Sequence, residues 1–455
     1  MSILVKPTMR CNSNCSYCYE DQLRKEGKFL DYDLDKVLSS METAHKQFKT
    51  DICFHGGEIL LLPKSDLERL FERAFELNGR SSIQTNGLLV DDEIIDMFKK
   101  YKTSVGLSID GPDELNEGRW REKNKERTQR VIKNIYRMRY EKISVGLISV
   151  ITKHNCLPPQ RQKFKDWILE MKGIGCPSGR MNPVMGDSDC TPTIKELKEF
   201  YLDMCDFILE DEKLQWQPFR DVIDNLMGYR QSTCIYHQCD YFWTNSAHVI
   251  LGDGEVRNCM KTVLGHNVFQ GKEPIKIRYE ALFNTPKEYD GCKGCRYWAI
   301  CSGLCPSEGI DGDWRNKSAH CEVFYALYEK IEKRIRGLFP RIKLATDYKP
   351  EKPSDSISDG EFCKRVERLD FSTWRQTCPS KKTRGREPEP GHGDSHGDYN
   401  RHQDGNAPQP VETDHRDKPH GDYARHEDSS MPVEAKDADH KDSPHKDHQR
   451  HGDSG

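Results

Sequence analysis

Six short β-rich runs alternate with stretches of helical length up to about residue 210, and this alternation restricts the fold more than any other feature. The runs are SILVK (2–6), DICF (51–54), SSIQT (81–85), SVGLSI (104–109), SVGLISVI (144–151) and GRMNP (179–183). Between and after them, near 33–47, 65–78, 91–100, 129–140, 160–171 and 193–210, apolar residues recur every three or four positions, the period of an amphipathic helix. A βα series implies a parallel sheet whose functional loops lie at the carboxyl ends of its strands. Six units predict an α/β fold, an open, partial (β/α)6 TIM barrel, over residues 1–228.

Beyond it, residues 229–325 have weak helical periodicity, many glycines and aromatics, and eight cysteines that take over the cross-linking role of an apolar core. The helical stretch FYALYEKIEKRIRGLF (324–339) closes this cysteine-rich domain, assigned to 229–345. The hydrophobic share of the whole chain is only 35% against 32% charged, which implies that some of it does not fold. Residues 346–455, where His, Asp, Gly, Lys and Pro dominate, are expected to be a disordered tail. The tail repeats itself: HGDYNRHQD (396–404) returns as HGDYARHED (420–428), and DHRDKP (414–419) as DHKDSP (439–444). These units have almost no apolar face to stack, which excludes a packed solenoid.

A net charge of -4 is small against 70 basic and 74 acidic side chains, so neither nucleic acid nor membrane is expected as a partner. With no apolar run of membrane length and no signal peptide in MSILVKPTMR, the expected location is cytoplasmic. A reducing compartment keeps thiols free, so the clustered members of the eighteen cysteines are candidate metal ligands.

Cys11, Cys15 and Cys18 follow the first strand directly, in the spacing C-x3-C-x2-C. Three thiolates satisfy three irons of a four-iron cluster and leave the fourth open to a small ligand. The same thiols alone could equally form half of a zinc site. The spacing resembles the signature of radical S-adenosylmethionine (SAM) enzymes. The resemblance implies that the open iron chelates the amino and carboxylate groups of SAM and that the cluster splits it to a 5′-deoxyadenosyl radical. It also implies that Tyr17 packs against the adenine. After the second strand, Gly56, Gly57 and Glu58 resemble the family's GGE motif, which binds the SAM amino group, with Ile59 where a proline is usual. After the third and fourth, QTNG (Gln84, Thr85, Asn86, Gly87) and SIDGP (Ser108 to Pro112, including Asp110) resemble segments lining the SAM site. Arg119 or Arg121 is then assigned to the SAM carboxylate. Each turn alone is ordinary loop punctuation, but four in order on four successive strand ends are not.

The later cysteines, Cys239, Cys259, Cys292, Cys295, Cys301, Cys305 and Cys321, with Gly254 in register, resemble the SPASM domain of radical SAM enzymes that act on peptides and proteins. That resemblance implies two auxiliary clusters, one held by Cys234, Cys239, Cys259 and Cys305, the other by Cys292, Cys295, Cys301 and Cys321. With the first site this makes three [4Fe-4S] clusters. Full ligation favours electron transfer over substrate binding at an open iron. Cys234 could equally be a buried core thiol. The other cysteines, Cys53, Cys156, Cys176, Cys190, Cys205, Cys363 and Cys378, read as core or exposed thiols, with a thiol near the site as the lesser alternative for Cys190.

Two branches of the family share this domain pair: anaerobic sulfatase-maturating enzymes, which form formylglycine, and maturases of ribosomal peptides. In the former an aspartate follows the second SPASM cysteine and takes the substrate proton; here Cys259 is followed by Met260 and Lys261. The expected function is therefore peptide modification or cross-linking, with formylglycine formation as the alternative and an electron-transfer protein as the alternative of another class. No general base is assigned. The expected partners are a peptide or protein substrate and an external electron donor such as flavodoxin or ferredoxin. Because the first strand begins near residue 2, no N-terminal leader-binding domain is expected. The tail reads either as a solvated linker or His-rich metal-binding segment, ten of seventeen histidines lying beyond residue 390, or as a substrate fused in cis, modified at His396, Tyr399, His420 and Tyr423.

Overall fold

Alternating burial turns the β-rich runs into strands with two different faces. In Val145–Ile151, Val145, Leu147, Ser149 and Ile151 are buried, while Gly146, Ile148 and Val150 between them are only partly covered. This is the period-two pattern of a strand packed on helices along one face and facing a cavity along the other.

The computed structural model describes residues 3–120, 125–186, 188–228, 248–257, 259, 261 and 272–347. Arg121, Cys234, Cys239, Met260, Cys363, Cys378 and the repetitive tail lie outside them. Nine strands form one sheet: β1 (Ile3–Lys6), β2 (Ile52–Phe54), β3 (Ser82–Thr85), β4 (Ser104–Ser108), β5 (Val145–Ile151), β6 (Ser178–Pro183), β7 (Gln215–Gln217), β8 (His248–Leu251) and β9 (Val256–Arg257). Their order is β7-β6-β5-β4-β3-β2-β1-β8-β9, parallel throughout except for the β8–β9 pair. The first six are the expected βα series. β7 adds a short strand carrying a single apolar residue, Trp216, too little pattern to read from sequence. β8 joins on the other side, pairing Ile3 with His248 and Lys6 with Leu251. The cysteine-rich segment thus begins as an extension of the barrel sheet.

Helices cover the buried face: Leu34–Phe48, Lys64–Asn78, Asp92–Lys100, Lys125–Tyr140, Gln160–Gly173 and Ile194–Glu210. Their starts follow capping chemistry. Thr193 Oγ1 accepts from Glu196 N–H at 3.2 Å while the Glu196 carboxylate accepts from Thr193 N–H at 2.7 Å, a capping box that fixes where Ile194–Glu210 begins. The core between helices and sheet includes Phe54, Phe71 and Phe98, packed edge to face at 5.4 and 5.9 Å between centroids. The closing helix, Cys321–Leu338, lies on the barrel helices, with Phe324 5.8 Å from Tyr201. No helix among the described residues is long and apolar enough to cross a membrane.

Candidate active site

The segment after β1 has no regular structure of its own, so neighbouring strand ends hold it in place. Gly57 N–H donates to Thr8 carbonyl at 2.9 Å and Glu58 N–H to Arg10 carbonyl at 2.8 Å, tying in the β2 end. Asn86, beyond β3, donates from Nδ2 to Asn12 Oδ1 at 2.7 Å and to Ser13 Oγ at 2.9 Å. Beyond β4, the Gly118 carbonyl accepts from Ser16 N–H at 2.9 Å. GGE and QTNG are thus bound directly to the loop that carries Cys11, Cys15 and Cys18, and SIDGP reaches it through Asp110, which accepts from the Tyr17 hydroxyl.

Gly57 must be glycine because the chains meet here. A Cβ would stand 2.3 Å from both the Arg10 and Met9 carbonyl oxygens. Gly57→Ala is expected to destabilise the fold by about 1–3 kcal/mol and displace the cysteine loop. Urea denaturation measures the first effect and iron uptake the second; a variant equal to the parent in both would contradict this role.

A cavity of about 400 Å³ opens at the carboxyl ends of the strands. Cys11, Cys15 and Cys18 line it, together with Tyr17, Gly56, Gly57, Gln84, Thr85, Asn86 and Ser108. Burial raises the Cys11 thiol pKa, and it pushes Cys15 up to about 12 although Arg119 draws it down. Metal binding must therefore bring the deprotonation with it. No three His, Cys, Asp or Glu among the described residues converge on a point suited to one ion. In a four-iron cluster each thiolate binds a different iron, so three thiols around a shared cavity suffice.

Two residues expected to contact SAM are instead held behind the cavity wall. Glu58, 1% exposed, accepts from Thr85 Oγ1 and Asn86 N–H, each at 2.7 Å, and from Leu60 N–H at 3.0 Å. Burial raises its pKa and these hydrogen bonds oppose the rise. Asp110, also 1% exposed, accepts from Arg119 Nη2 and Val150 N–H, both at 2.7 Å, and from the Tyr17 hydroxyl. Arg119 lines the cavity but spends a donor on Asp110, and its guanidinium lies 5.9 Å from the Tyr17 ring centre. Arg121, the alternative, is outside the described residues. Cys190 is buried, its Sγ 3.4 Å from Ser16 Oγ on the cysteine loop, but does not line the cavity.

The far wall was not anticipated. Ile148 and Val150 of β5, Arg180, Asn182 and Pro183 of β6, then Met185 form it, while Lys261 lines the cavity on the side of Tyr19 and His55. A signal existed in GRMNP, where polar side chains stand at every second position of a strand. Asn182 Oδ1 is buried without a hydrogen-bond partner, and Arg180 pairs with Asp221 at 3.2 Å. His55 is held well below the usual imidazole range by burial and by the nearby Lys6 cation, with Lys261 adding to it. Glu20, which lines the cavity, forms a buried ion pair with Lys6 at 2.5 Å, the side chains 4% and 3% exposed.

Among the later cysteines, Cys292, Cys295, Cys301 and Cys321 fall into one neighbourhood. The other three thiols all press on Cys301, whose pKa burial already raises well above the usual value, and Cys321 and Cys295 also press on Cys292. Cys305 is turned to Ser307 Oγ at 3.0 Å, and Cys259 lies near Tyr19 on the barrel side. Cys234 and Cys239 lie outside the described residues. Cys156, Cys176 and Cys205 are buried and Cys53 partly so, as core thiols would be.

Fold and site together define a radical SAM domain, and residues 5–155 match the family model described as the Radical SAM superfamily. The class implies a [4Fe-4S] cluster and SAM, for which the three thiols around one cavity are a fitting donor set. The chain is 24% identical over 384 residues to the cysteine-type anaerobic sulfatase-maturating enzyme of Clostridium perfringens, 75% of this chain and 99% of that protein. It is also 24% identical over 415 residues to the serine-type enzyme of Bacteroides thetaiotaomicron, 79% and 96% of the two chains. Its fold is similar to that of native anSMEcpe with bound AdoMet and Cp18Cys peptide, at TM-score 0.57 and 20% identity over 75% of this chain and 99% of that one. It is also similar to that of Streptococcus suis SuiB bound to precursor peptide SuiA, at TM-score 0.50 and 15% identity over 70% and 75% of the chains. Residues 5–155 thus form a domain of the Radical SAM superfamily, and the chain is related in sequence to anaerobic sulfatase-maturating enzymes.

Proposed function

We propose that this enzyme modifies or cross-links a side chain of a peptide or protein, as a maturase of ribosomally made peptides. The observation that carries the reading is a cavity that continues from the three thiols to a second wall carrying Arg180, Asn182 and Met185, with Lys261 lining it beside Tyr19. This leaves room for a substrate side chain opposite the cluster site. The cluster and SAM, when bound, supply a radical that removes hydrogen from an unactivated carbon. Around them, Cys11, Cys15 and Cys18 hold the cluster. Tyr17, fixed by Asp110, stands ready to cover the adenine, and Gly56 and Gly57, packed on the Thr8–Arg10 backbone, seat the cysteine loop beside it. Gln84, Thr85, Asn86 and Ser108 supply polar contacts. Glu58 sets the Thr85–Asn86 turn that faces the cofactor. Arg180 and the unpartnered Asn182 oxygen orient the substrate.

The remaining assignments extend this reading. Residues 1–228 form the barrel, 229–345 the SPASM domain with its two auxiliary clusters, and 346–455 a tail. A flavodoxin- or ferredoxin-like donor supplies electrons, and the peptide-bound states of the similar folds support a peptide substrate. Formylglycine formation is the second reading, favoured by the relatives in Clostridium and Bacteroides. Against it, Met260 and Lys261 follow Cys259, so no carboxylate is available there as base.

Anaerobic incubation of the reconstituted protein with SAM and dithionite should release 5′-deoxyadenosine; none from iron-loaded protein would contradict the enzyme reading. Encoded neighbouring peptides and sulfatase-derived peptides are then compared by mass spectrometry. Loss of two hydrogens without an aldehyde supports cross-linking, whereas a hydrazide-reactive aldehyde on the sulfatase peptide establishes formylglycine formation instead.

A further inference from the structure

Strand β6 brings two polar side chains to the cavity. Met181 between them is buried on the helix side, so Arg180 and Asn182 share the opposite face of the strand, and both line the cavity. Their register partners on β5 are Ile148 and Val150, apolar residues that line it too. Asn182 Oδ1 is buried among them with no hydrogen-bond donor in reach. An acceptor desolvated in this way is satisfied when a ligand brings it an N–H.

Arg180 repeats the construction of Arg119. Each guanidinium lines the cavity and is held by an aspartate that does not. Asp110 meets Arg119 at 2.7 Å, and Asp221, on the helix Phe219–Leu226, meets Arg180 at 3.2 Å. A guanidinium carries several donors in a planar fork, so one carboxylate does not exhaust it. Arg119 is assigned to the carboxylate of SAM, whereas Arg180 stands on the far wall, where the substrate side chain is placed.

The charge around the cavity points the same way. Cysteines aside, the charged side chains lining it among the described residues are Arg24, Arg119, Arg180, Lys261 and Glu20. Glu20, the carboxylate of the set, is already paired with Lys6 at 2.5 Å. An excess of cations in a cleft with low-dielectric walls favours an anionic guest.

We propose that Arg180 is a specificity-determining residue that takes a carboxylate of the peptide substrate, the side chain of an Asp or Glu or a free C-terminus, while Asn182 Oδ1 accepts a backbone N–H of the same residue. The inference rests on the peptide reading proposed above and deepens it by naming the substrate class.

The test is equilibrium binding to full-length, anaerobically reconstituted protein saturated with SAM. The probes are acetyl-Gly-Asp-Gly-amide, acetyl-Gly-Asn-Gly-amide and acetyl-Gly-Gly-Gly with a free carboxylate. The Asp probe is expected to bind about tenfold tighter than the Asn probe, the difference between a charge-assisted and a neutral contact. The same advantage in the free-acid probe alone assigns the site to a peptide C-terminus. Arg180→Met should bring the acidic probe down to the level of the Asn probe while SAM affinity stays at the parent's value. Acidic probes that the parent binds no tighter than the Asn probe overturn the inference. So does an Arg180→Met protein that keeps the preference, or one that loses SAM affinity, which would put the arginine at the cofactor. Where Arg180→Met does not fold because Asp221 is left buried, Arg180→Met combined with Asp221→Asn removes both charges and is judged by the same ratio. Peptide modification is scored separately by mass spectrometry. A peptide modified without regard to acidic residues leaves the maturase reading standing and removes this one, and an acidic probe bound by a protein that modifies no peptide does the reverse.

Discussion

Cys15→Ala is expected to reduce 5′-deoxyadenosine formation to background while leaving the fold intact. The cysteine loop is held by backbone and side-chain hydrogen bonds from three strand ends, to Thr8, Arg10, Asn12, Ser13 and Ser16, none of which uses a Cys15 sulfur. Removing that sulfur deletes one of the three thiols that line this cavity among the described residues. A four-iron cluster with two protein ligands loses iron and cannot present an open position to SAM. Far-ultraviolet circular dichroism should match the parent, iron content should fall by about one four-iron cluster, and chromatography of the SAM products should find no 5′-deoxyadenosine. Turnover at the parent's rate in the variant would refute the ligand assignment.

Asp110→Ala should be the most destabilising single change in the barrel. The carboxylate accepts from Arg119, Val150 N–H and Tyr17, while its own backbone N–H donates to Asn116 Oδ1 at 2.9 Å. Without it the Arg119 guanidinium, whose side chain is 8% exposed, stays buried with its carboxylate removed. Breaking a buried pair on one side costs about 3–5 kcal/mol, because an uncompensated charge remains. Urea denaturation of the apoprotein measures this; a loss under about 1 kcal/mol would mean that the pair carries little of the structure. Tyr17 loses its anchor in the same variant, so SAM affinity should weaken even where the protein folds.

These two residues mark where sequence reading succeeds and where it stops. The place of Cys15 is legible because the three cysteines directly follow β1, and the structure brings them to one cavity at the strand ends. The order of the GGE, QTNG and SIDGP turns is legible for a related reason, since each ends a strand and the sheet brings successive strand ends together. What those residues touch is not legible. Glu58 and Asp110 read as cofactor contacts, yet each carboxylate is turned inward, toward Thr85 and Asn86 or toward Arg119. A motif fixes a residue's position in the chain but leaves open which side of a cavity wall its side chain occupies. Arg180 and Asn182 failed differently: they belong to no motif, and only the sheet's curvature brings them opposite the cysteines. The short strand β8 was invisible because HVIL offers no alternation, all but its first residue being buried.

The pairing of β8 with β1 orders events during synthesis. Ile3 meets His248, so about 245 residues must leave the ribosome before β1 gains its neighbour on that side. At roughly 5–20 residues per second that interval is on the order of 10 to 50 s. Throughout it, β1 is an edge strand with one row of backbone groups unpaired, directly ahead of three cysteines. Strand β1 is therefore the strand that waits longest for its second neighbour, whereas Gly57, Glu58, Asn86 and Gly118, which hold the cysteine loop, are all made within the first 120 residues.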